Sequence, residues 1–369
     1  MKYNKVVIKI GSHLIIKGEE QFLFSIAQQV KLLKDNECKV IIVSSGAIAS
    51  GLKEYGIISK PTSIVEKQSY AAIGQPWLMN KYIETFKKFN LKVAQILLTR
   101  EDFDFHDRYL NIKNTLNHLL KMGVIPIVNE NDTVVTEEIK LGDNDTLSAI
   151  VAAKIDADIL ILLTDVDGVY NKDPNIYKDA KIIEEVYNIE ELLKECSISS
   201  KSKFFCGTGG MKTKLEAAKI CYLSGVEMVI ANGMKDNVIS DIVLENKKIG
   251  TKFYPTGLSS EITSRDKWIA FGKKIKGKIF VDEGASLALT KDHKSLLPVG
   301  VKYVEGKFSK GDVVSIYSVV DNKEIARGIV NYSSDEIEKI KGKKTQEIKK
   351  IYQKIKSEEV VHVDNLVLL

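Results

Sequence analysis

The sequence predicts an α/β protein: a three-layer sandwich around a mostly parallel sheet, followed by a small β-rich domain. Three observations carry this. Six runs, KVVIKI, CKVIIVSS, KVAQILLT, VIPIVNE, ADILILLT and VEMVIAN, are short, rich in β-branched residues and nearly continuous in apolar character, as suits strands buried on both faces. Longer amphipathic stretches such as SIVEKQSYAAIGQPWLMNKYIETFKKFN separate them, and such alternation implies crossover helices. After GTKFYP the texture changes: a polar connector, TGLSSEITSRDKWIAFGKK, leads to short strands closed by glycine.

Ligands of an open parallel sheet bind beyond the carboxyl ends of its strands, so each strand end is read in turn. The first run ends in Lys9, Ile10 and Gly11. A lysine inside an apolar run is either snorkelling at a strand edge or aimed at a ligand. The second ends in Ser44, Ser45, Gly46 and Ala47 and leads straight into a helix. Small residues there either cap the helix or let its N–H groups approach an anion. The fourth ends in Asn129, Glu130, Asn131 and Asp132, more polarity than a turn needs.

The next stretch, TVVTEEIKLGDND, reads as an antiparallel hairpin at the sheet edge. Its last residues, Asp143, Asn144 and Asp145, immediately precede an apolar helical run. An Asx turn with Asp145 as N-cap accounts for that triplet taken alone. Beside the NEND cluster, the acidic groups form a pocket suited to an ammonium ion. The fifth strand closes in Thr164, Asp165, Val166, Asp167 and Gly168, and GTGGMKTK, ending in Lys214, opens a later helix. Its three glycines free backbone amides to point at phosphate, and Lys214 adds a point charge. The spacing is neither GxxxxGK(S/T) nor a GxGxxG after the first strand, which excludes a P-loop NTPase and a Rossmann dehydrogenase on motif grounds.

At 369 residues the chain is comfortable for two domains. Net charge is +5, with lysine and arginine spread along the whole chain, a mild lysine bias rather than a nucleic-acid footprint. Cys38, Cys196, Cys206 and Cys221 form no C-x-x-C pair and no metal-ligand spacing, which fits a reduced, cytoplasmic protein. MKYNKVVIKIGSHLI has no apolar signal core and no run reaches membrane-spanning length, so a soluble protein is expected.

Together these features describe a site with two separated lysines, Lys9 and Lys214, a glycine-rich helix start and an acidic pocket. Phosphoryl transfer needs chiefly positioning and charge neutralisation, and a lysine on each side of the transferred group supplies that. A carboxylate between them would hold both ammonium groups, and Asp145 is the candidate. The acidity of the pocket fits an acceptor with an α-amino group.

IKIGS, VSSGAIASG, LLTRED, VNENDTV, IKLGDNDTLSA, LLTDVDGVY and GTGGMKTKLEAA, in this order, resemble the motif series of the bacterial glutamate 5-kinase family, in the amino acid kinase superfamily. RDKWI, VDEGA, SLLPVG and GKFSKGDVVSI resemble that family's C-terminal PUA domain. The resemblance covers nearly the whole chain. It implies an amino acid kinase domain over residues 1–255, a linker over 256–274 and a PUA domain over 275–369. It implies that ATP, accompanied by Mg2+, phosphorylates the γ-carboxylate of L-glutamate to L-glutamyl 5-phosphate, the first step of proline synthesis. Lys9 and Lys214 would contact the phosphates, with Asp145 organising them. Ser45, Asp132 and Asn144 would bind glutamate, with Asn129 and Asp143 close by. Thr164 and Asp165 would contact the nucleotide, as would Thr208, Gly209, Gly210, Met211, Lys212, Thr213 and Lys214. Feedback inhibition by proline at or overlapping the glutamate site is implied too, as is assembly into homodimers or tetramers.

One stretch departs from the family pattern. CSISSKSKFFCGTGGM is bulkier and more basic before its glycines: Phe204, Phe205 and Cys206 either form part of a nucleotide lid or pack beneath it, and the phosphate cradle is unaffected by that choice. Sibling kinases fit less well. Aspartate kinases carry regulatory domains of another type, N-acetylglutamate has no ammonium for the acidic pocket, and UMP kinases lack this tail. PUA domains elsewhere bind RNA. Here the tail's lysines alternate with glutamates as on a solvated helix face, no stacked aromatic–basic array is visible, and RNA binding is left unsupported. SDEIEKIKGKKTQEIKKIYQKIKSEE is expected to form an exposed helix pair or helix–turn.

Overall fold

The computed structural model describes residues 2–59, 61–103, 105–134, 144–174, 176–198, 209–255, 275–343, 347–348 and 357–369. These form two compact units, each with its own sheet and core. The first unit opens with β1 (Lys5–Ile10), α1 (Ser12–Asp35), β2 (Lys39–Val43), α2 (Ala47–Glu54), α3 (Ile64–Lys87), β3 (Val93–Leu98), α4 (His106–Lys121) and β4 (Ile125–Glu130). It continues with α5 (Asn144–Lys154), β5 (Ile159–Thr164), β6 (Glu185–Val186), α6 (Ile189–Ile198), α7 (Gly209–Ser224), β7 (Glu227–Asn232), α8 (Val238–Val243) and β8 (Thr251–Phe253).

All six runs expected to be strands are strands. The sheet order is β3-β4-β2-β1-β5-β7-β8-β6, and β3 through β7 in that order pair in parallel. β8 turns back antiparallel to β7 and carries β6 at the edge. Side chains alternate across a strand. Val6, Ile8 and Ile10 of β1 therefore join the core made with Leu14, Ile26 and Val30 of α1, Tyr82 and Phe86 of α3, and Ile239 of α8. Val7 and Lys9 face the opposite layer, where α5 packs on β1 and against α7. All eleven residues of α5 are buried, which explains why its sequence reads as apolar without a polar face.

Glycine decides one helix contact. Gly51 in α2 and Gly74 in α3 sit where the two helices touch. A Cβ at Gly74 would overlap the carbonyl of Ala47, and one at Gly51 would overlap that of Tyr70. This contact holds α2, and with it the end of β2, against α3.

The second unit comprises β9 (Gly277–Val281), α9 (Glu283–Thr290), β10 (Val301–Glu305), β11 (Val313–Ser318), β12 (Glu324–Ile329), α10 (Ser334–Ile340) and β13 (Leu366–Leu368). Its sheet order is β10-β9-β11-β12-β13. The short glycine-closed strands expected after the polar connector are present, in GKIFV, VKYVE, VVSIYS and EIARGI, and Asp282 caps α9 by accepting from Ala285 N at 2.9 Å.

Two expectations need correction. The stretch starting at Ser334 is helical as expected over α10 but not wholly exposed: Ile337 and Ile340 are buried in the second core, with Ile348 beside them, while 344–346 and 349–356 lie outside the described residues. A charged sequence hid an inward face three residues apart. The second unit also holds an aromatic row. Tyr303, Phe280 and Tyr317 stack across β10, β9 and β11 with centroids 4.2 and 5.3 Å apart, and Lys278 lies 5.3 Å from the Tyr317 ring centre. Cross-strand pairing makes this row, so the linear sequence concealed it. The nearby cations are matched by carboxylates, Lys278 with Glu305 at 3.6 Å and Arg327 with Glu324 at 2.7 Å. The hairpin expected over TVVTEEIKLGDND lies largely outside the described residues, as does the linker over 256–274. Among the described residues no helix is long and apolar enough to cross a membrane.

Gly74→Ala is expected to destabilise the first unit by about 3 kcal/mol, because backbone must move to admit the methyl group. Urea unfolding followed by circular dichroism reads this; a curve superimposable on the parent would show that α2 and α3 separate freely.

Candidate active site

The carboxyl ends of the strands converge in register. Lys9 is opposite Val43 of β2 and Leu162 of β5, Val43 is opposite Val128 of β4, and Thr164 is opposite Asn232 of β7. Gly11 leaves β1 by donating its N–H to Leu163 O at 3.3 Å. Gly46 leads into α2 at φ 102°, a left-handed conformation that a side chain would strain.

One carboxylate organises the centre. Asp145, in the first turn of α5, pairs with Lys9 through Oδ1. Its Oδ2 receives Lys214 Nζ at 3.2 Å and Thr213 Oγ1 at 2.9 Å. The side chains of Lys9, Asp145 and Lys214 are only 9%, 6% and 13% exposed, so little water screens them. Burial pushes the Asp145 carboxyl up, but the Lys9 and Lys214 ammonium groups, helped by Thr213, hold it below the usual carboxylate range. Two ammonium groups against one carboxylate leave the cluster with a positive charge in excess. α7 delivers Lys214 and Thr213 from the glycine-rich start, where both also reach Gly210 O at 3.1 and 3.0 Å. Met211 is buried and Lys212 exposed.

A second cluster adjoins the first through the chain itself. Asn144 Nδ2 reaches Ser44 O at 2.9 Å, Ser45 Oγ at 2.9 Å and Asn129 Oδ1 at 3.1 Å. Asn129 Nδ2 donates to Gln75 Oε1 at 2.7 Å, and Gln75 Nε2 donates to Gln95 Oε1 at 3.0 Å. Asn144 Oδ1 is buried with no hydrogen-bond donor among the described residues, an acceptor left for an incoming group. Asp132, two residues beyond β4, is half-buried, and burial pushes its carboxyl up to about 6. At the end of β5, Thr164 Oγ1 donates to Asp165 Oδ1 at 3.1 Å, and His13 Nδ1 lies 3.5 Å from Asp165 Oδ2. Asp143, Thr208 and the stretch from Phe204 to Cys206 lie outside the described residues.

The chain matches the amino acid kinase family over residues 4–232 and the PUA domain over residues 277–352. It is 49% identical to the glutamate 5-kinase of Thermoanaerobacter sp. (strain X514) over 371 residues, covering 99% of this chain and 98% of that protein. The glutamate 5-kinases of Dictyoglomus thermophilum and Geobacter sulfurreducens are 46% and 45% identical, each covering 100% of this chain and 98% of their own length. The chain belongs to the glutamate 5-kinase family.

Membership in the glutamate 5-kinase family makes the chain a kinase, an enzyme that uses ATP. Of the residues expected at the site from the sequence, Lys9, Asp145, Thr213 and Lys214 are gathered in one cluster, and Ser45, Asn129 and Asn144 in the next. Thr164 and Asp165 form a separate pair. Sequence reading missed Gln75, Gln95 and Tyr82, the last bonded to Ser44 Oγ at 3.0 Å. A signal existed for Gln95: like Lys9, it is a polar residue inside an otherwise apolar strand. Gln75 offered less, since one glutamine in an amphipathic helix reads as surface.

Asp145→Ala would leave Lys9 and Lys214 nearly buried without their counter-charge. Removing one partner of a buried ion cluster costs about 3 kcal/mol or more. Thermal unfolding of the variant is expected to fall accordingly, and an unchanged midpoint would show that the lysines turn to solvent.

Proposed function

We propose that this protein transfers the γ-phosphoryl group of ATP to the γ-carboxylate of L-glutamate, giving L-glutamyl 5-phosphate and ADP, the first step of proline biosynthesis. The observation that carries this reading is Asp145 held between Lys9 and Lys214. A glutamate carboxylate is already ionised near neutral pH, so it attacks phosphorus without a general base. The chain's task is then to hold two anions together and neutralise the charge on the transferring group. Lys9 and Lys214 do this from opposite sides, fixed by Asp145. Asn144, steadied by Ser45 and Asn129, offers its unpaired Oδ1 to the α-ammonium, and Asp132 and Asp143 complete that pocket. Thr164, Asp165 and the run from Thr208 to Lys214 hold the nucleotide.

Mg2+ accompanies ATP in this reading. A hard, oxygen-preferring ion suits the exposed carboxylate of Asp165 beyond β5, and it offsets phosphate charge when bound. Proline is the proposed feedback inhibitor, competing for the ammonium pocket because it shares the α-amino acid portion of glutamate. The proposed division of the chain is a kinase domain over 1–255, a linker over 256–274 and a PUA domain over 275–369. A cytoplasmic homodimer or tetramer completes the proposal.

The deciding experiment is glutamate-dependent ADP release with hydroxylamine trapping of the acyl phosphate, repeated with proline. Hydroxamate is expected only with glutamate and ATP together. ATP turnover without hydroxamate would sink the acyl-phosphate assignment.

Lys9→Ala and Lys214→Ala are each expected to lower kcat by about 100-fold or more, with KM for glutamate changing much less. Steady-state kinetics decide, and near-normal kcat would remove that lysine from the mechanism.

The pH dependence follows from Asp132. Its carboxyl is raised to about 6 by burial, so it is ionised above that pH and protonated below it. A protonated Asp132 cannot pair with an ammonium group. KM for glutamate is therefore expected to rise as pH falls through about 6, by up to about tenfold per unit. Asp132→Asn should flatten this limb while raising KM across the whole range. The same limb persisting in the variant would assign it to another group.

A further inference from the structure

We propose that the first unit carries a second anion site, distinct from the phosphoryl-transfer cluster, which takes a small hydrophilic ligand of the phosphate-ester class. It lies at the opposite end of the sheet. Lys5 begins β1 and Lys39 begins β2, paired directly across the two strands. Lys5 is four residues before Lys9, about 13 Å along an extended strand. Here a depression of about 340 Å³ opens, lined by Lys5, Lys39, Lys121 and His118 together with two carboxamides, Asn114 and Asn117.

The charge is lopsided. Among the described residues no carboxylate lines the depression. The two carboxylates whose charge acts on Lys5 have other partners: Asp156 pairs with Lys113 at 3.1 Å, and Asp158 accepts the backbone N–H groups of Asn4 and Lys5 at 2.5 and 2.8 Å. Lys5 is half-buried and donates to Ile155 O. Burial lowers its proton affinity, and the like charges of Lys39 and Lys113 add to that against Asp156 and Asp158. An anion seated here relieves this repulsion.

His118 and Lys121 alone would need no ligand, because they stand in the last turn of α4, where cations complement exposed carbonyls. Lys5 and Lys39 come from two strands and belong to no such turn. Convergence of strand and helix cations on one depression is what a helix end does not explain. The lining also selects the ligand. Among the described residues that line it, Leu120 is the apolar member and none is a Phe, Tyr or Trp, so the lining offers a nucleobase no large ring to stack on. Lysines act as point charges suited to phosphate. The volume exceeds what one phosphate fills, leaving room for a polar body that Asn114 and Asn117 can bond.

The test uses the full chain with a non-hydrolysable ATP analogue, Mg2+ and glutamate present at saturation, so that the transfer site is filled. Lysines are labelled with an amine-reactive reagent and read by mass spectrometry, with and without inorganic phosphate at constant ionic strength. Labelling of Lys39 and Lys121 is expected to slow by about threefold, an occupancy of about two-thirds, while the exposed Lys291 and Lys310 are unaffected. Equal slowing by chloride, or no selective slowing, would overturn the proposal. Protection by a short RNA and none by inorganic phosphate would overturn it in favour of a nucleic-acid surface. Lys39→Gln combined with Lys121→Gln changes only exposed side chains, and basal kcat is expected to be unchanged. In that variant, phosphate protection of Lys5 should vanish; its persistence would also refute the site.

Discussion

Two ammonium groups share one nearly buried carboxylate, and the rest of the kinase unit is arranged so that they can. Lysines flanking a carboxylate stand roughly 6 Å apart, where their repulsion is about 3 kcal/mol at an effective dielectric of 20. Each attraction to Asp145 is about 4 kcal/mol on the same scale. The carboxylate therefore decides whether the pair can coexist away from water. Asp145 stands at the start of α5, Lys9 near the end of β1 and Lys214 in the first turns of α7. One carboxylate, through two ion pairs, ties together three elements that are remote along the chain.

The sheet makes that contact possible. Parallel pairing of β1 with both β2 and β5 sets their carboxyl ends level, and alternation along β1 turns Lys9 toward α5 and away from the core under α1. A slip of one residue would exchange Lys9 with Ile8 or Ile10 and bury an ammonium group among Leu14, Ile26 and Val30. The apolar alternation of β1 and the placement of its one charge are thus the same constraint.

The carboxamide chain from Asn144 through Asn129 and Gln75 to Gln95 has a different character. Buried amides are costly unless bonded, and here each fixes the orientation of the next. The chain ends in an Asn144 Oδ1 that no described residue satisfies. An energetic debt at one atom of an otherwise satisfied network is a mark of a binding position. Asp132 carries a related signature, since burial raises its carboxyl.

Much of this was legible in the sequence, for local reasons. Six β-branched runs and the helices between them are written in periodicity, which needs no tertiary contact to read. Lys9 was visible as a charge in an apolar strand, and GTGGMKTK as a glycine-rich helix start. The ordered motif series supplied Ser45, Asn129, Asn144 and Asp145. Other features were decided only by the fold. Gln75 lies on α3 and Gln95 on β3, and nothing within either segment says that they meet. Tyr303, Phe280 and Tyr317 become a stacked row only once β10 and β11 flank β9. Ile337 and Ile340 look like interruptions in a charged tail until a core is placed beneath them. Lys5 and Lys39 read as solvated strand ends until register sets them side by side. Periodicity and local composition belong to a segment, and a sequence carries them openly. Pairing across the sheet, and the burial that gives a polar atom its energy, belong to contacts between distant segments, and those exist only in the folded chain.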